Sequence, residues 1–422
     1  MRTGVQRPGG VTAAGSDPVL AWRRNLAALT AASFIGFTGF TLVMPFLPLY
    51  MAELGVRDVG SIALWTGFTL GVTPAITALL APAWGRLADR FGRKLLVARS
   101  LASFVVIMAA MAWVTHPWHL FALRAIQGLF AGYGPLCLAM AAESSPRDRV
   151  AQSIGTVQTA QRLGPALGPV IGGAVAGLVG LRTAFLVTSA FYVIALVQLL
   201  ILYKEPPVEH PTSAGEPARV SFSTVLAFEN FLLLMAAIFG LQFVDRSFGP
   251  VLPLQVAAMG VAPGRVAFVS GVVFSALACS AAAGHHLCAR LLRRCSARDV
   301  ISGAALVSSG AVALFAVVGA AWALVLAAAV FGVSVGVAMT AAYTAAAGVL
   351  PANARGAGFG FLSTASLTGV ALSPVACGFL AATDIRIVFA ADAVTLCVLA
   401  VLVRRVMIEQ PRVTETPVVA DP

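Results

Sequence analysis

Residues 155–173 read GTVQTAQRLGPALGPVIGG, and residues 360–378 read GFLSTASLTGVALSPVACG. At an offset of 205 positions, Gly155, Gly164, Pro169 and Gly173 meet Gly360, Gly369, Pro374 and Gly378. Working outward, the same register pairs Pro146 with Pro351, and Pro45-Phe-Leu-Pro48-Leu with Pro250-Val-Leu-Pro253-Leu. These nine identities in three separate regions share that register, which implies two homologous halves. Repeats of this kind place a cavity between the halves near the membrane midplane, and rocking of one half on the other gives alternating access.

Composition says what the halves are made of. Of 422 residues, 28 are Lys or Arg and 17 are Asp or Glu, so only 11% are charged, against roughly 25% in soluble domains. Hydrophobic residues make up 59%, and the mean hydropathy is +0.91. A soluble chain has too little polar surface at that composition, and disorder is excluded by the same numbers. The net charge of +11 does not point to nucleic acid, because the basic residues sit in small groups between apolar runs rather than on one face. The six cysteines show neither metal spacing nor an extracellular disulfide pattern, and read as small apolar filler. No cleavable signal peptide is expected, since the first 25 residues lead into an apolar run too long for a signal core.

About 20 mostly apolar residues cross a bilayer. That criterion predicts twelve spans, at 26–50, 63–84, 95–114, 119–141, 152–178, 183–203, 229–256, 264–284, 300–319, 321–346, 357–381 and 386–403. The expected fold is therefore an all-α polytopic membrane protein, with twelve transmembrane helices in two pseudo-symmetric six-helix bundles. Residues 1–203 form the first bundle, the polar stretch 204–223 is a cytoplasmic linker, and 224–422 hold the second bundle and tail. With a cytoplasmic N-terminus, only Arg57, Arg182, Arg265 and Arg386 fall on the outer side, and Arg99, Arg124, Arg162 and Arg246 fall within spans. The remaining Lys and Arg are inside, as the positive-inside rule asks, and an even span count puts both termini in the cytoplasm of a cell-membrane protein.

Three motifs carry chemistry. The loop after the second span reads Gly85-Arg-Leu-Ala-Asp89-Arg90-Phe-Gly92-Arg93-Lys94. Its glycines allow a tight turn, and Asp89 can meet a helix N-terminus or an arginine, whereas setting topology needs positive charge alone. The corresponding second-half loop has Ala289 in place of Asp89, so any latch is one-sided. In the fourth span, Arg124-Ala-Ile-Gln127-Gly128 places an arginine where burial costs about 2.5–3.5 kcal/mol on insertion scales. It either lowers the pKa of a nearby carboxyl, holds an anionic substrate group, or donates structural bonds to neighbouring helices. In the fifth span, Gly155, Gly164, Gly168, Pro169, Gly172 and Gly173 make a face without side-chain bulk, on which another helix packs closely.

The chain resembles the major facilitator superfamily, whose signature loop is matched by Gly85 to Lys94. The fifth-span glycines, with Leu42-Val-Met-Pro45-Phe-Leu-Pro48-Leu-Tyr50, resemble the antiporter motif and first helix of the drug:proton antiporter-1 family. The resemblance implies a latch holding the outward-facing state through Asp89 and Arg93, with Glu143 as a third partner. It also implies proton coupling at Arg124 and a leak-tight seal at the fifth span. Residues 26–50 contain no acid, a departure from the many family members that carry one there.

Proton coupling needs a titrating group in the cavity. The predicted spans hold no Lys, and their single His, His119, sits at an outer edge. Asp245 is the first candidate and Asp392 the second; the alternative for Asp392 is an aspartate of the outer half near the membrane surface, with no part in coupling. Arg246 points about 100° away from Asp245, so the two need not pair. Gln127, Gln158, Arg162, Gln242, Tyr343 and Phe361 are the expected substrate contacts, with Phe37, Gln161 and Tyr133 also available. The expected activity is export of small amphipathic compounds by proton antiport; alternatives are an importer or facilitator on the same fold, or a non-transporting membrane sensor. The expected partners are a small-molecule substrate, protons and the lipid bilayer. No nucleic acid, metal, cofactor or enzymatic activity is expected, and a monomer is.

Overall fold

The structure is a computed structural model and describes residues 18–146, 149–205, 228–350 and 355–408. The first half comprises α1 (Pro18–Leu42), α2 (Leu47–Glu53), α3 (Val59–Phe91), α4 (Arg93–Met111), α5 (Pro117–Phe130), α6 (Tyr133–Glu143), α7 (Val150–Val179) and α8 (Leu181–Leu202). The second comprises α9 (Phe231–Ala258), α10 (Pro263–Leu292), α11 (Ala297–Val317), α12 (Ala321–Val349), α13 (Arg355–Ala381) and α14 (Ile385–Val406). Among the described residues, twelve segments are long and apolar enough to cross a membrane. Leu79 and Leu178 are 80% and 85% exposed. Side chains of that kind spread round the outside mark a lipid-facing surface, so the chain is a multi-pass membrane protein.

Each predicted span overlaps an observed one, and three depart in ways that matter. Span 26–50 is broken: α1 stops at Leu42, residues 43–46 turn, and α2 starts with Pro48 in its first turn. Proline lacks the N–H a continuing helix would use. The repeat-related Pro250 and Pro253 lie inside the unbroken α9. Span 119–141 is broken at Gly132, whose φ of +110° a side chain would resist, leaving α5 and α6 end to end. Span 264–284 runs on to Leu292, so His285 is helical rather than in a loop.

Within the first half, α1 packs on α7 and α8, α3 on α5, and α4 on α8; within the second, α10 packs on α12, α11 on α12 and α14, and α9 on α13. Each half has its own aromatic centre. Phe104 lies 6.0 Å from Tyr133 and 5.3 Å from Tyr192, centroid to centroid, in the first. In the second, Phe248 packs on Phe315, Phe331 and Phe389. Asn25 binds the Lys204 backbone and Asn230 binds that of Ile408, which gathers the start of α1, the end of α8, the start of α9 and the end of α14 at one end, the termini end.

The halves meet along two helix pairs, α3 with α13 and α7 with α10, and both seams are closed by glycine near the far end. A Cβ on Gly378 would lie 2.8 Å from the Ala63 carbonyl, and one on Gly67 would strike the Pro374 carbonyl. On the other seam, Gly173 abuts Ala267, Gly271 abuts Pro169, and the Val170 N–H donates to Ser275 Oγ at 3.2 Å. Toward the termini end, Gly155 of α7 and Gly360 of α13 meet nothing within 4 Å. The halves are therefore sealed at the far end, while these two glycines toward the termini end are exposed.

Candidate functional site

Between the halves lies a cavity of about 350 Å³. Phe37 and Thr41 of α1 and Gln161, Arg162 and Pro169 of α7 line one side. Gln242, Asp245 and Arg246 of α9, His285 of α10 and Met339 of α12 line the other. The wall is mostly apolar with a few polar points, as suits amphipathic ligands. Of the predicted substrate contacts, Arg162 and Gln242 line this cavity. The other four do not: Gln127 is buried inside the first half, Gln158 is exposed outside the lining, and Tyr343 and Phe361 pack against the hydrophobic core.

Asp245 faces the cavity and is ion-paired with Arg246, Nε to Oδ2 at 3.3 Å, so the sequence neighbours do join despite their angular offset. Asp392 lies two turns in from the far end of α14 and is buried. It is 2% exposed inside the second half, where it accepts a 2.5 Å hydrogen bond from Ser247 Oγ. Ser247 is two residues from Asp245, so α9 touches both carboxylates, one on its cavity side and one on its core side.

His285 is the cavity residue that sequence reasoning missed. It accepts or donates at 2.6 Å to Thr340 Oγ1 and lines the cavity opposite Arg162. The signal was the continued helical spacing of Leu287, Leu291 and Leu292 after the two histidines, which argued against ending the span at 284.

The glycine-rich face of α7 serves two surfaces. A Cβ on Gly164 would lie 2.7 Å from the Thr38 nitrogen, and one on Gly168 would lie 2.6 Å from the Thr38 carbonyl; Gly172 abuts Leu42. These three bind α7 to α1 within the first half. Gly173 and Pro169 instead meet α10 of the second half. Gly155 packs against nothing and stands outside both surfaces.

At the termini end, Arg93 of α4 is ion-paired with Glu143 of α6. Both belong to the first half, so this pair ties helices within a half rather than across the seam. Gly92 has φ +89° and is the single residue between α3 and α4, which explains the glycine. The surroundings of Gly85 and of the Asp89 and Arg90 side chains lie outside what the structure describes.

Arg124 is 2% exposed, and its Nη1 donates to Gln127 Oε1 at 3.0 Å. Among the described residues it has no carboxylate partner; the recorded ion pairs join other residues. Those residues also contain no group of three or more His, Cys, Asp or Glu able to hold a metal ion.

Two helical halves around a central cavity, sealed at one end by glycine seams, define a polytopic helical membrane protein. The Major Facilitator Superfamily matches residues 29–298 and 234–421, and the chain belongs to that superfamily. It is 33% identical to a "Multidrug resistance protein MdtG" of Escherichia fergusonii over 62% of this chain and 64% of the relative. It is 31% identical to the MdtG of Proteus mirabilis over 60% and 63%. The matched region thus spans just under two thirds of these relatives. A bacterial homologue of the human lysosomal transporter Spinster, in an inward-facing and occupied conformation, superposes with TM-score 0.78 at 18% identity, covering 93% of this chain and 98% of that one. The nucleoside transporter NupG superposes with TM-score 0.70 at 18% identity, covering 90% and 98%. At that identity the structural likeness speaks for the fold.

Proposed function

We propose that this chain exports small amphipathic compounds by proton antiport, with both termini cytoplasmic and the structure open to the cytoplasm. The observation that carries the reading is the cavity between the halves, sealed at the far end, with the Asp245–Arg246 pair in its wall. The multidrug-resistance names of relatives at 31–33% identity support the drug-export direction. The basic residues gathered at the termini end support its cytoplasmic placement.

Asp245 is the proton-exchanging group in this reading. A proton on its carboxyl cancels the charge that holds Arg246, and losing that proton restores the pair. For a substrate with a positive group, binding beside the carboxylate and protonation of Asp245 oppose one another, which is what antiport requires. Asp392, bonded through Ser247 to the same helix, is the second proton site. Alternating access follows from opening the α3–α13 and α7–α10 seams while the termini end closes. The Gly85–Lys94 stretch, the end of α3 and start of α4 around Gly92, acts on that closure with Asp89, Arg93 and Glu143.

Everted membrane vesicles test this. Accumulation of an amphipathic fluorescent compound on energising the membrane, collapsed by a protonophore, is the expected result. Asp245→Asn is expected to lose the proton-driven accumulation while keeping downhill exchange. Concentrative uptake by intact cells, or full proton-driven accumulation by Asp245→Asn, refutes the respective part.

A further inference from the structure

The interior of the first half holds donors that nothing among the described residues accepts. Arg124 uses Nη1 on Gln127, but its Nε and Nη2 are buried with no hydrogen-bond partner. Gln127 is fully buried, and its Nε2 is equally unmatched. The Tyr133 and Tyr192 hydroxyls are buried without partners as well. These groups form one cluster. Tyr192 lies within electrostatic reach of Arg124 and of Tyr133, and both rings flank Phe104. Glycine on α1 leaves room for the tyrosines: a Cβ on Gly36 would lie 2.6 Å from the Tyr133 hydroxyl, and one on Gly39 3.2 Å from the Tyr192 ring.

A buried guanidinium is stable only when paired and hydrogen-bonded, and buried donors left unmatched are rare in folded proteins. Tyrosine and glutamine carry no charge at neutral pH, so neither balances Arg124. Every unused atom here is an N–H or O–H donor or carries one, and the cluster's net charge is positive.

We propose that Arg124, Gln127, Tyr133 and Tyr192 form a buried binding site for a small anionic group: a monovalent halide or a carboxylate. The site lies one layer behind the central cavity. The Phe37 ring stands 5.3 Å from that of Tyr133 and itself lines the cavity. Gln161, also in the cavity wall, donates to the Gly134 carbonyl at 3.0 Å, beside Tyr133. An anionic group therefore reaches the donors by displacing Phe37, either as a free ion or as the acidic end of a molecule held in the cavity. The proposal stands apart from the export reading, because it is read from binding by the purified protein.

The test measures thermal unfolding of the purified full-length chain in nanodiscs at constant ionic strength. Gluconate, too bulky for the site, is exchanged for chloride, then for formate, and decanoate is compared with decanol. A saturable rise in Tm with chloride or formate identifies a free ion. A rise with decanoate but not with decanol, chloride or formate identifies the acid end of a larger ligand. Tyr192→Phe is expected to raise the half-saturating concentration about tenfold, as loss of one bond to a charged group does. Gln127→Glu supplies a carboxylate to Arg124 from within the chain and is expected to abolish the response while the protein stays folded. Absence of any anion-specific rise, or the same rise in Gln127→Glu as in the unsubstituted protein, overturns the proposal.

Discussion

Adding one methyl group at Gly173 or at Gly168 should produce two different defects from neighbouring turns of the same helix. At Gly173 the new Cβ would lie 2.8 Å from the carbonyl carbon of Ala267 and the Cα of Phe268, with the Ala267 carbonyl oxygen nearer still. Ordinary van der Waals contact begins at 3.4 Å, and the obstruction is backbone, so α7 and α10 must part by more than half an ångström. Overpacking of this kind costs about 1–3 kcal/mol. This seam exists when the far end is closed, so the cost falls on that conformation alone and shifts the equilibrium roughly 5–150-fold toward the far-end-open state. At Gly168 the Cβ would meet the Thr38 carbonyl at 2.6 Å, but α1 and α7 belong to the same half and move together. There the cost falls on folding. The assay is double electron–electron resonance between labels at Val179 and Ala258 in a cysteine-free background, alongside thermal unfolding. Gly173→Ala, and more strongly Gly173→Leu, should populate longer distances. Gly168→Ala should leave distances unchanged and lower Tm. Closed-state distances in Gly173→Leu equal to those of the parent would refute the assignment of Gly173 to the moving seam.

Two further outcomes are expected. Gly92→Ala should destabilise the first half by about 1–3 kcal/mol, because φ +89° is a backbone conformation that alanine resists; an unchanged unfolding midpoint would count against it. Asp58 caps α3 by accepting from the Ser61 N–H at 2.8 Å, and those bonds hold its carboxyl below the usual 3.8. A depressed native pKa contributes stability above the unfolded value and loses it as pH falls through the folded one. Asp58→Ala should therefore lower Tm at neutral pH, with the gap to the parent closing below about pH 3.8; a gap constant across that range would show that the cap is not electrostatic.

Much of the architecture could be read one residue at a time. Burial in lipid is a matter of composition over a run of about 20 residues, so twelve apolar runs announce twelve crossings without any knowledge of their neighbours. The repeat register of 205 positions is likewise a property of the string. So is the isolation of Arg124 in an apolar helix, which marked it as a special residue before its surroundings were known. What the string does not contain is direction around each helix and the identity of the helix opposite. Gly168, Gly172 and Gly173 are equivalent in spacing arguments, yet the first two face α1 within a half and the third faces α10 across the seam. The identical proline pairs at Pro45–Pro48 and Pro250–Pro253 break one helix and leave the other whole, since proline removes one bond and the packing around it decides whether the helix continues. Asp245 and Asp392 looked alike as acids in apolar runs, and only the packing of α9 against α14 put one in the cavity wall and the other in the core. His285 entered the cavity because α10 extends two more turns than its apolar run required. Hydrophobicity is summed along the chain and survives in one dimension; close packing and charge pairing depend on which surfaces meet, and those exist only once the helices are assembled.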